Sequence, residues 1–97
     1  MNKINYPKVS VVIAVSRDNP LYVESLTQQD YPDYEIIPVK GYTAARARNI
    51  GIKKAKGEII AFIDDDVVIP RTWISKGVEL LQKSDADIVG EIGRAHV

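Results

Sequence analysis

Cysteine is absent from the 97 residues, which excludes disulfides and thiolate metal sites but does not fix the compartment. Net charge is also missing. Lys and Arg together number 13, as do Asp and Glu, so no overall field favours nucleic acid or an anionic surface, and no nucleic-acid partner is expected. No apolar run approaches the length needed to cross a bilayer, and the polar start Met1-Asn2-Lys3-Ile4-Asn5 lacks the apolar core of a signal peptide. The segment therefore reads as soluble and cytoplasmic, with any membrane association, at the inner face, left to a longer parent chain. What remains is a chain with 45% hydrophobic residues, enough for one modest core and so for one domain or part of one.

The last residues stand apart. Glu91-Ile92-Gly93-Arg94-Ala95-His96-Val97 is a charged, pattern-free tail directly after what reads as a core strand. It resembles the translation of a common sequencing-adapter DNA whose next codon would stop the chain at Val97. Residues 91–97 are accordingly expected to be a non-native tail beside a partial domain over 1–90, and His96, the only histidine, carries no functional weight.

Ahead of the tail the pattern alternates. Val9 to Val15 is a β-branched run suited to a central parallel strand covered on both faces. Ser16-Arg17-Asp18-Asn19-Pro20 is turn chemistry, with Asn19 as N-cap and Pro20 opening a short helix to about Gln29. Tyr34 to Val39 is a second strand, and Pro38 suits a strand with a free edge. From Thr43, an N-cap candidate, the small residues Ala44, Ala47, Gly51 and Ala55 recur at helical spacing, and Gly57 is the candidate C-cap. Glu58 to Ile63 forms a third buried strand. A helix from about Arg71 to Lys83 turns Trp73, Ile74, Gly77, Val78 and Leu81 inward, and Ala86 to Val89 starts a fourth strand. Such alternation predicts an α/β layer with a largely parallel sheet and flanking helices, its ligands beyond the carboxyl ends of the strands.

Asp64-Asp65-Asp66 closes the third strand at that edge. Adjacent carboxylates repel one another unless a cation is present, and oxygen-only ligation suits Mg²⁺ or Mn²⁺. In extended backbone Asp64 and Asp66 point the same way and Asp65 the other, so the outer pair can share one ligand. Taken alone, an acidic triplet is more often a solvated loop that caps the next helix.

Its context changes that balance. Ala44-Ala45-Arg46-Ala47-Arg48-Asn49-Ile50-Gly51, then Ala55-Lys56-Gly57-Glu58, then the strand into Asp64-Asp65-Asp66, resembles the A-A-R-N-x-G, A-x-G-E and D-x-D segment of family 2 glycosyltransferases. Val9 to Val15 is similar to that family's opening strand, Gln29 to Ile37 to its Q-x-Y-P-x-x-E-I-I segment, and Pro70 with Trp73 to its P-x-x-W. The resemblance covers Pro7 to Gly90 and implies the nucleotide-binding half of a Rossmann-like GT-A fold. It further implies metal-dependent transfer of a sugar, usually with inversion, from a nucleoside-diphosphate sugar to an acceptor hydroxyl on a glycan, lipid or protein. By the same resemblance Asp66 and Asp64 bind the Mn²⁺ or Mg²⁺, Asp64 and Asp65 lie at the donor, Arg48 meets the nucleotide, and Val15 and Ser16 border the base. Trp73 and Tyr31 read as packing residues, and Arg46 as an exposed helix charge.

Where the family carries an acidic D-D-G-S turn after the second strand, this chain has Lys40-Gly41-Tyr42, so an Asp that often reads uracil is missing and Lys40 is a candidate contact to base or phosphate. The family's opening-strand Pro is Ala14 here, and its aromatic-Asn pair is Ser16-Arg17. The family's catalytic base lies downstream of the matching segment, so the chain is expected to be inactive alone. Two alternatives remain at this point. Phe62 to Val68 also resembles the D-x-D-x-[TV] strand end of haloacid-dehalogenase-type phosphatases, with Asp64 as nucleophile and Asp66 as general acid, and the segment could equally be a non-catalytic nucleotide-binding fragment.

Overall fold

The expected alternation is observed: β1 (Val9–Val15), α1 (Tyr22–Thr27), β2 (Tyr34–Lys40), α2 (Ala44–Lys54), β3 (Ile59–Asp64), α3 (Trp73–Lys83), β4 (Ile88–Val89) and β5 (Ile92–Arg94). The computed structural model describes residues 6–16, 18, 21–84, 88–90 and 92–94. One sheet holds the strands in the order β2-β1-β3-β5-β4, with β1 parallel to β2 and β3, and β5 antiparallel to β3 and β4. The α/β class and the largely parallel sheet with flanking helices are as read from the sequence.

β1 is apolar on both faces because both faces are covered. Val9, Val11 and Ile13 pack with Tyr22 and Leu26 of α1 and with Ile74, Val78 and Leu81 of α3. Val12 packs oppositely, with Ala47 of α2, Ile37, Val39 and Ile60. α1 and α3 thus share one face of the sheet, and α2 lies on the other. The small face of α2 brings it close: a Cβ at Gly51 would stand 2.2 Å from Val12 Cγ1. β2 is an outer strand, and Pro38, in register with Ile13, sits where a missing N–H is tolerated.

Several boundaries differ from expectation, each because a distant partner intervenes. Gly57 is not the C-cap of α2, which ends at Ala55 with its N–H on the Ile52 carbonyl. Gly57 instead permits a close approach, since a Cβ there would lie 2.6 Å from the Lys8 carbonyl oxygen and 2.7 Å from Ser10 Oγ. α1 starts at Tyr22 with Leu21 as an N-cap that makes no side-chain bond, while Asn19 and Pro20 lie outside the described residues. α1 also ends at Thr27, short of Gln29. The Gln29 amide donates to the Ser25 (3.1 Å) and Pro70 (2.7 Å) carbonyls and accepts the Ile74 N–H at 3.0 Å. It thereby caps α3, which starts at Trp73 and whose own N-cap, Thr72, makes no side-chain bond. Of the fourth predicted strand Ile88 and Val89 are extended, and Ala86 lies outside the described residues. Ile92–Arg94, within the segment expected to be a foreign tail, forms β5, and Ile92 is buried against Gly77 of α3.

Candidate functional site

The chain leaves β1 toward β2 but leaves β3 toward β5 and β4, so the winding reverses between β1 and β3. Open α/β sheets bind ligands in the crevice beyond such a reversal, at the carboxyl ends of the strands. Val15 pairs with Lys40 and Ala14 with Asp64, so the ends of β2, β1 and β3 are level. This register sets Lys40, Ser16 and the acidic triplet along one rim.

The triplet straddles the end of the strand: Asp64 is the last residue of β3, and Asp65 and Asp66 lie in the turn that follows, so the extended backbone expected across all three stops at Asp64. Asp64 and Asp66 are exposed, whereas Asp65 is buried. Asp64 lies on the α2 face with Phe62, over whose ring the Arg48 guanidinium stacks at 5.4 Å from the centroid. Two residues of strand span ~7 Å, so Arg48 stands about one pleat behind Asp64. The cation–π contact holds a permanently charged, forked donor on the exposed α2 side of β3. Arg46 of the same helix lies over Tyr42 at 5.9 Å, away from the triplet.

Asp65 faces the other way. Its Oδ2 accepts the Ser16 N–H at 2.7 Å and the Ser16 hydroxyl at 3.3 Å, and its main-chain carbonyl accepts the Leu21 N–H at 2.8 Å. Burial first, and the Asp65 charge second, push the hydroxyl of buried Tyr22 above the usual tyrosine range. Ser16 is exposed one residue past β1, and Val15 is buried beneath it. Lys40 reaches Asp18 at 3.5 Å, an exposed pair that solvent screens and that a ligand anion can displace at small cost. The structure thus brings Val15, Ser16, Asp64, Asp65 and Asp66 together between β1 and β3. Arg48 stands behind them on one side, and Lys40 lies at the end of the neighbouring strand.

Sequence reasoning missed the fastening of the loop after the triplet. Ser25 Oγ accepts the Ile69 N–H at 3.1 Å, and the Asp30 N–H bonds the Arg71 carbonyl at 3.0 Å, which with Gln29 ties residues 69–74 to α1. Only the pairing of α1 with α3 across one sheet face makes these contacts, so no local pattern announces them. Tyr31 is a packing residue, buried, with its hydroxyl donating to the Pro7 carbonyl, and half-buried Trp73 packs against the same core.

Asp64 and Asp66 supply oxygen donors of the kind that Mg²⁺ or Mn²⁺ takes. Among the described residues no group of three or more acidic or histidine side chains comes together as a metal site, so an ion there would need further oxygens from water or a phosphorylated ligand. Among the described residues no helix is long and apolar enough to cross a membrane.

Comparison with known proteins agrees with this geometry. Residues 39–95 match the family described as Glycosyl transferase family 2. The chain is 31% identical over 87 residues to Beta-1,4 N-acetylgalactosaminyltransferase 2 of Mus musculus, covering 88% of this chain and 16% of that protein. It is 32% identical over 90 residues to Glycosyltransferase AglE of Haloferax volcanii, covering 88% of this chain and 30% of the relative. A third similar protein, Glycosyltransferase GlyG of Streptococcus pneumoniae, is 41% identical over 46 residues, which is 47% of this chain and 15% of that one. The chain therefore spans less than a third of the length of each of these relatives. With a family match across more than half the chain, over the helix, strand and acidic turn that build the rim, this chain belongs to glycosyl transferase family 2.

Proposed function

We propose that this chain is the donor-binding portion of a metal-dependent, inverting glycosyltransferase. Its donor is a nucleoside-diphosphate sugar and its acceptor a hydroxyl on a glycan, lipid or protein. The observation that carries this reading is the pair of exposed carboxylates, Asp64 and Asp66, at the topological switch between β1 and β3. Family membership sets the phosphatase alternative aside.

Asp64 and Asp66 are the residues to hold Mn²⁺ or Mg²⁺. When bound, the ion supplies Lewis-acid neutralisation of charge on the departing diphosphate. The chain's own residues do the rest of the binding. Asp64 can also accept from a ribose hydroxyl, and the Arg48 guanidinium can fork onto base carbonyls or phosphate oxygens. Val15 and Ser16 wall the base on the β1 side. Lys40, freed from Asp18, supplies a point charge at the position where the family's acidic turn is missing, which favours a base or phosphate acceptor over the N3–H of uracil. No residue of 1–90 is assigned as the base that deprotonates the acceptor, so the portion binds donor without transferring it.

Calorimetric titration of UDP, GDP and dTDP into the chain, with and without Mn²⁺, tests this. Mn²⁺-dependent binding of at least one, weakened ~tenfold or more in Asp66→Ala, is the expected outcome, since charge-assisted contacts are worth about that factor. Binding that is indifferent to Mn²⁺ and to Asp66→Ala contradicts it. The name of the mouse relative makes an N-acetylgalactosamine nucleotide the sugar donor to include.

A further inference from the structure

We propose that Asp65 is a positioning residue for the donor, acting through Ser16 and not as a ligand of sugar or metal. The inference rests on the donor reading above and deepens it.

A carboxylate at the centre of an acidic triplet is ordinarily counted with its neighbours. Here the residue is only 6% exposed, while Asp64 and Asp66 are exposed on either side of it. Its Oδ2 is engaged by the Ser16 main chain at 2.7 Å, a length typical of a charge-assisted bond, with the Ser16 hydroxyl at 3.3 Å. The same residue holds Leu21 through its main-chain carbonyl at 2.8 Å. One residue therefore fixes both flanks of the loop that leaves β1. Because Asp65 is bonded in sequence to Asp64 and Asp66, this clasp also sets the spacing between the two loops at the switch point. A donor whose base meets the β1 side and whose diphosphate meets the β3 side must span that spacing. Removing the clasp leaves both sets of ligands intact and misaligns them, which is the type of error to which oriented binding is most sensitive.

This separates two roles that Asp65→Ala alone confounds. An amide oxygen in Asp65→Asn still accepts the Ser16 N–H, but it carries no charge for a metal or a ribose hydroxyl. The experiment combines hydrogen exchange at the Ser16 amide, followed by NMR on the full chain, with calorimetric titration of UDP, GDP and dTDP in the presence of Mn²⁺. Thermal unfolding of each variant is recorded alongside. The Ser16 amide is expected to be protected in the wild type and in Asp65→Asn and unprotected in Asp65→Ala. Affinity is expected to fall by less than about threefold in Asp65→Asn, which keeps an acceptor for the Ser16 N–H, and by ~tenfold or more in Asp65→Ala, which does not.

An Asp65→Asn variant that loses affinity as fully as Asp65→Ala, with Ser16 still protected, overturns the proposal by showing that the charge itself meets the ligand. A Ser16 amide that exchanges freely in the folded wild type overturns it without reference to any ligand. Failure of the wild type to bind any of the nucleotides, with Ser16 protected, refutes the donor reading and with it the binding role of a clasp that nonetheless forms.

Discussion

The two ends of the same sheet treat polar groups in opposite ways. At the amino end, Ser10 is fully buried, its hydroxyl donates to Glu35 Oε2 at 2.6 Å, and its oxygen accepts the Gly57 N–H at 2.8 Å. The Lys56 N–H reaches the same Glu35 oxygen at 2.8 Å. Every polar atom named there is answered by another, across β1, β2 and the approach to β3, with main chains in contact. At the carboxyl end, some 20 Å away along six residues of strand, Ser16, Asp64, Asp66 and Lys40 face solvent. The amino end buries its polar groups against one another, and the carboxyl end keeps most of its own at the surface, where the proposed donor would meet them. Buried polar groups stabilise only when paired, so substitutions at the two ends should separate stability from binding.

The largest effect is expected from Gly57→Ala. The new methyl meets the Lys8 carbonyl and the Ser10 main chain, neither of which can swing aside, so thermal unfolding should show a loss of ~3 kcal/mol. A melting temperature equal to that of the wild type would mean the amino end is looser than described. Ser10→Ala comes next, because it strands the Gly57 N–H and removes one donor to Glu35; a loss of about 2 kcal/mol in denaturant titration is expected.

A pH effect is smaller and has a defined sign. Burial alone would raise the Glu35 carboxyl, but the bonds from Ser10 and the Lys56 N–H, helped by the Lys8 and Lys56 charges, hold it below the usual glutamate range. Its stabilisation is therefore complete above the unfolded value of ~4.3 and is lost as pH falls through the lowered folded value. Glu35→Gln should flatten the acid limb of a pH–stability curve and leave neutral stability less changed than Ser10→Ala does. Tyr31 acts at the other limit. Burial, then Asp33, Glu58 and Tyr6, push its hydroxyl up to about 12. Stability should then fall as pH rises from the unfolded tyrosine value of ~10 through about 12, and Tyr31→Phe should remove that fall. The smallest effect on stability belongs to Asp64→Ala, within ~0.5 kcal/mol, because its carboxylate is exposed at the rim. That same variant should lose most of its nucleotide affinity, which would set the contrast between the two ends in a single pair of measurements.

How much of this was legible depended on whether a residue's partner is near in sequence. The alternation of apolar runs with helical spacing gave the layers, because burial of each strand and helix face is written in its own period. Thr43, whose hydroxyl accepts the Arg46 N–H at 3.3 Å, was readable for the same reason. Gly57 was misread because a glycine after a helix looks the same whether it ends the helix or admits another strand. Ser10 did carry a signal, as the lone hydroxyl in a β-branched run covered on both faces, but its partners Glu35 and Gly57 are joined only by the sheet. At the other end, the expectation that Asp65 points away from Asp64 and Asp66 could not say that its partner was Ser16. Gln29, which caps a helix more than forty residues away, gave no local sign at all. β5 was not anticipated because the charged tail offers no strand pattern, and its antiparallel partner β3 lies some thirty residues back in the chain.

The central claim is that the ligand sits at the carboxyl end and is held through a divalent ion at Asp64 and Asp66. Paramagnetic broadening of amide NMR signals by Mn²⁺ tests it most directly, measured on the full chain with UDP, GDP or dTDP present. The account predicts broadening at Val15, Ser16 and Asp64 to Val67, with Ser10 and Gly57 sharp, and predicts that the broadening disappears in Asp66→Ala. Broadening centred on Ser10, Glu35 and Gly57, or spread evenly over the chain and unchanged in Asp66→Ala, would contradict it.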